Sequence, residues 1–180
     1  EDMGNYSWAE DAVNVLYNKG VVSGKSETQF KPGDNVTREE FVKMAVLLFD
    51  LFDNDAECQF DDVSKNDWCY KYIASAQKKE IVNGISDSIF GVGENLTREQ
   101  LVTLTYRVGL ASGIDFLTDK VYIAFDDDDK ISDYAKEAVE NMAAANIVVG
   151  NDNMFYPGNT CTRAEAAKVL YNTYLMLLAD

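Results

Sequence analysis

Three copies of one pattern fill this chain, and a chain built that way must pack as repeated units. The frame Thr-Arg-x-(Glu/Gln) occurs as Thr37-Arg38-Glu39-Glu40, Thr97-Arg98-Glu99-Gln100 and Thr162-Arg163-Ala164-Glu165. Other residues recur in step with it. Trp8, Trp68 and Tyr134 each stand 16 residues before a glycine: Gly24, Gly84 and Gly150. From those glycines to the next threonine the intervals are 13, 13 and 12 residues. A two-helix unit of about 55 residues cannot cover its own apolar stripe, so its neighbours must cover it.

The periodicity supports six helices. The first helix of each unit is predicted near 8–20, 67–79 and 133–146, with apolar stripes such as Ala9, Val13 and Leu16. The second is predicted near 37–52, 97–112 and 162–178, each opening at the repeated threonine. The units span 1–53, 54–113 and 114–180 and together make one compact domain. The third begins with a longer connection, 113–125, where a short extra helix is expected. The fold class is all-α: three helix-loop-helix modules closed into a pseudo-threefold bundle. No unit shows a polar capping face, which favours closure over an open stack, with the three first helices meeting at the axis.

A threonine followed three residues later by Glu or Gln is a capping box. The arginine then occupies the first helical position, where the positive end of the helix dipole disfavours a cation. Three such arginines suggest an anion held at each helix N-terminus, with free backbone N–H groups as further donors. The plain alternative is that each arginine pairs with an acid across a unit boundary. Gly24, Gly84 and Gly150 are read as turn residues with positive φ. Trp8, Trp68 and Tyr134 are open between core packing and a ligand platform.

Composition narrows the function. Asp plus Glu is 31 against 16 Lys plus Arg, a formal charge of −15, which argues against nucleic acid or an anionic membrane as partner. The chain has no histidine, so imidazole catalysis and histidine-ligated metals are excluded. No apolar run reaches transmembrane length. No signal peptide is visible at Glu1, and the chain reads as a trimmed or mature segment. The cysteines Cys58, Cys69 and Cys161 have no metal-ligand spacing; spacing alone leaves a Cys58–Cys69 bridge open, and buried free thiols are the default for Cys69 and Cys161. The run Asp126-Asp127-Asp128-Asp129 lacks EF-hand spacing and reads as a solvated loop. No metal and no cofactor are expected.

The order Asp…Trp…Gly…Phe-x-Pro…Thr-Arg-x-Glu resembles the S-layer homology domain. The first copy supplies Asp2, Trp8, Gly20-Val21-Val22-Ser23-Gly24, Phe30-Lys31-Pro32 and Val36-Thr37-Arg38-Glu39-Glu40. The second supplies Asp62, Trp68, Ile81-Val82-Asn83-Gly84, Phe90 and Leu96-Thr97-Arg98; the third Asp127, Tyr134, Ile147-Val148-Val149-Gly150, Phe155-Tyr156-Pro157 and Cys161-Thr162-Arg163-Ala164-Glu165. The second copy departs most, with Gln100 for the acid, Glu80 where the first has Gly20, and Gly91-Val92-Gly93 in place of the proline loop.

The resemblance implies a non-catalytic module that anchors a larger extracellular protein to the bacterial surface, cell wall or S-layer. The partner it implies is a secondary cell-wall polysaccharide carrying pyruvyl ketals. Arg38, Arg98 and Arg163 would contact the ligand, with the three glycines and three aromatics lining inter-module grooves. The guanidinium fork suits a ketal carboxylate. A peptidoglycan-binding or protein-docking module is the alternative. A glycosidase, which needs only two carboxylates, finds no distinctive acid pair here. The Arg→Ala changes are expected to weaken binding with little loss of fold.

Overall fold

The structure, a computed structural model, describes residues 2–179; Glu1 and Asp180 lie outside them. All six expected helices form. They are α1 (Glu10–Asn18), α2 (Arg38–Leu48), α3 (Tyr70–Lys78), α4 (Arg98–Ala111), α5 (Asp133–Ala144) and α6 (Arg163–Leu177), with 3-10 turns at Gly4–Ala9 and Asp128–Lys130. The architecture is all-α, and among the described residues extended pairing is limited to isolated bridges.

Local chemistry sets the helix ends. Thr37, Thr97 and Thr162 each close a capping box with Glu40, Gln100 and Glu165. The first helices end in a shared motif. Val21 donates to the Leu16 carbonyl, Ile81 to Ala76 and Ile147 to Met142, a six-to-one closure at 2.9 Å in all three. The residue before each donor is left-handed: Gly20 (φ 71°), Glu80 (φ 58°) and Asn146 (φ 59°). This closure turns the buried residues Val21, Ile81 and Ile147 into the core.

The helices that meet one another are not the first helices expected to do so. The second helices α2, α4 and α6 touch one another, and each first helix lies against one of them: α3 on α2, α5 on α4 and α1 on α6. The small residues that begin the first-helix stripes, Ala9, Cys69 and Ala135, are all buried. In α6, Ala164, Ala166 and Ala167 are fully buried.

The backbone ties the segments before the second helices together. Val36 donates to the Cys161 carbonyl, Cys161 to Leu96 and Leu96 to Val36, at 3.0, 2.9 and 3.0 Å. Each unit therefore gives one hydrogen bond and takes one.

Three other expectations change. No helix forms over 113–125. Ile114 and Phe116 are buried at alternate positions, an extended rather than helical spacing, while Leu117, Val121 and Ile123 are at least 80% exposed. The Asp126–Asp129 run is not simply solvated. Asp127 is buried and accepts from the Phe155 and Tyr156 amides at 2.7 and 2.8 Å, while Asp128 takes the Tyr122 hydroxyl and Asp126 the Asn153 amide. Of the three turn glycines only Gly84 has positive φ (72°). All three are required for space: a Cβ would stand 2.8 Å from the Gln29 carbonyl oxygen at Gly24, 2.5 Å from Ile89 at Gly84 and 2.8 Å from Met154 at Gly150.

The three cysteines are free thiols; Cys69 and Cys161 are buried and Cys58 half-buried. Burial pushes the Cys161 thiol up to about 12 and the Cys69 thiol to about 11, so neither ionises near neutrality.

Candidate functional site

The nine residues singled out by sequence fall into three grooves, three to each groove, and each groove draws one from every unit. Arg163, Gly24 and Trp68 line the first. Arg38, Gly84 and Tyr134 line the second. Arg98, Gly150 and Trp8 line the third. The cavities measure about 210, 360 and 770 Å³ in that order.

This distribution follows from how each arginine docks on the next unit. Its Nε donates to the carbonyl of a phenylalanine there: Arg38 to Phe90 at 3.0 Å, Arg98 to Phe155 at 2.7 Å and Arg163 to Phe30 at 3.1 Å. The guanidinium carbon lies 5.0, 5.3 and 4.5 Å from the same residue's ring centre, within cation–π range. The phenylalanine loop is pinned from behind by the aspartate that opens its own unit. Asp2 accepts from the Phe30 and Lys31 amides, Asp62 from Phe90, Gly91 and Val92, and Asp127 from Phe155 and Tyr156. Burial pushes the Asp62 carboxyl up, but the three amide donors outweigh it and hold it below the usual range.

Most of the donors expected at the helix N-termini are already taken. The arginine amides are spent on carbonyls of the next unit: Arg38 on Glu94, Arg98 on Asn159 and Arg163 on Asp34, at 2.9–3.0 Å. The following amides of Glu99 and Ala164 go to the Pro157 and Pro32 carbonyls, and the third helical amides go to the capping threonines.

The arginines themselves are largely enclosed. Arg38 and Arg163 are 4% and 6% exposed, and burial lowers the pKa of both. Two of the three arginines have an acid at the edge of ion-pair distance. Arg98 Nη1 lies 3.9 Å from Glu165, and Arg163 Nη1 the same distance from Glu40. Burial raises the Glu40 carboxyl, yet Lys25 at 2.5 Å, the Thr37 amide and the Arg163 charge bring it below its ordinary value.

Trp8, Trp68 and Tyr134 are not core residues. They are 47%, 56% and 52% exposed, so each leaves about half its surface open beside a groove. Lys43 Nζ lies 5.7 Å from the Trp68 ring centre. Tyr134 donates to Glu99 at 2.9 Å, and burial together with that bond keeps its phenol protonated.

Sequence reasoning missed a stripe on the second helices. Glu40 and Lys43, Gln100, Thr103 and Arg107, and Glu165, Lys168 and Asn172 recur at i, i+3 and i+7 and line the grooves. The signal was present as charged residues beside the apolar stripe at the same register. No group of acids, cysteines or histidines suited to a metal is found among the described residues.

Fold and grooves together define a class: an all-helical tandem-repeat domain whose clefts lie between its units. The S-layer homology domain profile matches residues 1–42, 59–102 and 124–167, and the chain belongs to that family. Exoglucanase XynX of Acetivibrio thermocellus is 33% identical over 171 residues, covering 92% of this chain and 15% of that protein. Amylopullulanase of Thermoanaerobacterium thermosulfurigenes is also 33% identical, over 92% of this chain and 9% of that protein. S-layer protein sap of Bacillus anthracis is 28% identical over 167 residues, covering 92% of this chain and 20% of that protein. The chain thus spans at most a fifth of these relatives. Among the described residues no helix is long and apolar enough to cross a membrane.

Proposed function

We propose that this chain is a non-catalytic anchoring module that tethers a larger extracellular protein to the bacterial cell wall, its three units closed into a pseudo-threefold bundle. The cyclic hydrogen bonds of Val36, Leu96 and Cys161 support closure. Relatives that share the segment include an S-layer protein, an exoglucanase and an amylopullulanase, which have no single reaction in common, and this supports a surface address as the shared role. The ligand is an acidic secondary cell-wall polysaccharide, bound through pyruvyl ketals on its sugars.

The observation that carries this reading is the assembly of each groove from three units, with one guanidinium, one glycine and one half-exposed aromatic. The guanidinium N–H groups not used on neighbouring carbonyls can donate to a carboxylate in charge-assisted contacts. The aromatic face can cover the apolar side of a sugar ring. The glycine keeps the loop wall free of a side chain.

Calorimetry on the intact chain with a pyruvylated disaccharide and its ketal-free counterpart tests it. The ketal should improve affinity at least tenfold, about 1.4 kcal/mol. Equal affinity for the two sugars overturns the carboxylate reading.

A further inference from the structure

The three grooves are built alike but are not chemically equivalent. In the first and third, an acid from the capping box lies 3.9 Å from the arginine, Glu40 for Arg163 and Glu165 for Arg98. In those same grooves an Nη2 donor is also spent, on the Ser23 carbonyl for Arg163 and on Val149 for Arg98. The Arg38 groove differs on both counts. The residue in the acid's place is Gln100, which caps the helix as well as Glu does, through its side-chain oxygen at 3.2 Å from the Thr97 amide. Among the described residues Arg38 hydrogen-bonds only through Nε, to Phe90, and no carboxylate lies within salt-bridge distance of it.

A second cation faces the same space. Arg107 lines this groove where the first and third copies have Leu47 and Asn172. Its one hydrogen bond is a long contact of 3.4 Å from Nη1 to the Ile81 carbonyl. No acid lines the cavity. Glu94, Asp62 and Glu39 act on Arg38 through space, but none of them belongs to the cavity wall. Glu99 is held by the Tyr134 hydroxyl and by Ser132.

We propose that the Arg38–Arg107 groove is a site for a doubly charged tetrahedral oxyanion, a phosphate monoester on a sugar, distinct from the carboxylate sites of the other two grooves. Two guanidinium groups present more open N–H donors than the two oxygens of one carboxylate can take up, whereas three phosphoryl oxygens and a charge near −2 match them. Tyr134 stands beside the groove, half exposed, where a sugar carrying the phosphate can lie on its ring. The inference rests on the reading of the grooves as glycan sites and adds a second ligand chemistry to one of them.

The test is calorimetry with a hexose 1-phosphate at pH 8, together with amide chemical-shift mapping, on the wild-type chain and on Gln100→Glu and Arg107→Leu. Both substitutions install the residue another copy carries at that position, so both should fold. The phosphate ester should shift the Gly84 and Ile85 amides and leave Gly24 and Gly150 unmoved, and each variant should weaken binding at least tenfold with its melting temperature unchanged. Inorganic phosphate supplies the second arm: a preference for the ester assigns the sugar to Tyr134, and equal affinity assigns the site to the free anion. The proposal is overturned if all three glycines respond alike, or if neither variant changes affinity. A pyruvylated disaccharide that still binds the Gly24 and Gly150 grooves in that case leaves the anchoring function standing.

Discussion

The arginine at the first position of each second helix has two duties. Its Nε and ring stack staple one unit to the next, and its remaining edge borders the groove. The staple is the costlier duty to remove. Arg163→Ala deletes bonds to the Phe30 and Ser23 carbonyls and a guanidinium lying 4.5 Å from the Phe30 ring centre, and it opens a buried site. By typical magnitudes for such bonds and stacks the loss is about 3 kcal/mol. Urea denaturation of Arg163→Ala should show it, and Arg163→Lys should recover only a small part because an ammonium lacks the fork. An unchanged midpoint for the alanine variant would remove the staple from the account. Beside the expectation that such changes leave the fold intact, this geometry sets a cost in stability. Weaker glycan binding by an Arg→Ala variant does not, by itself, report a ligand contact. The arginine was legible in sequence because it broke a local rule in triplicate. Its partner was not, because the phenylalanine carbonyl it meets is 52, 57 or 133 residues away.

At the scale of the element, sequence and structure agree where the determinants are local. All three capping boxes close, and all six helices begin within a few residues of the positions their periodicity indicates. They diverge where packing decides. The 113–125 connection buries Ile114 and Phe116 at an extended spacing and makes no helix, and the second helices rather than the first touch one another. The terminating loop shows a local preference being overruled. Glu80 holds φ 58° because Ile81 must turn back to the Ala76 carbonyl, a position the first copy gives to Gly20. A left-handed residue with a Cβ carries a strain that glycine avoids. Glu80→Gly should accordingly raise stability by about 0.5–1 kcal/mol, the relief of strain exceeding the added freedom of the unfolded chain. Thermal unfolding with glycan titration in parallel is the measurement: the melting temperature should rise while affinity stays level. A lower melting temperature would mean that the Glu80 side chain makes a stabilising interaction which outweighs the strain.

Across the whole molecule the charge is divided unevenly. The formal charge is −15, yet the residues lining the three grooves include Lys25, Lys43, Arg163, Arg38, Arg107, Arg98 and Lys168 against only Glu40 and Glu165. An acidic polymer approaching from a distance meets net repulsion; inside a groove it meets cations. The two effects act over different ranges. The far field fades beyond a Debye length, about 10 Å at 0.1 M salt, while contacts at hydrogen-bond distance in a partly enclosed cleft are screened much less. Raising salt from about 0.02 to 0.15 M should therefore leave the dissociation rate nearly constant and increase the association rate up to severalfold, the reverse of a basic protein on an anionic polymer. Surface plasmon resonance against immobilised wall polysaccharide separates the two rates. An association rate that falls steeply over that interval would show that the polymer is drawn in by a long-range positive field, and the binding surface would then have to be sought away from these recessed grooves.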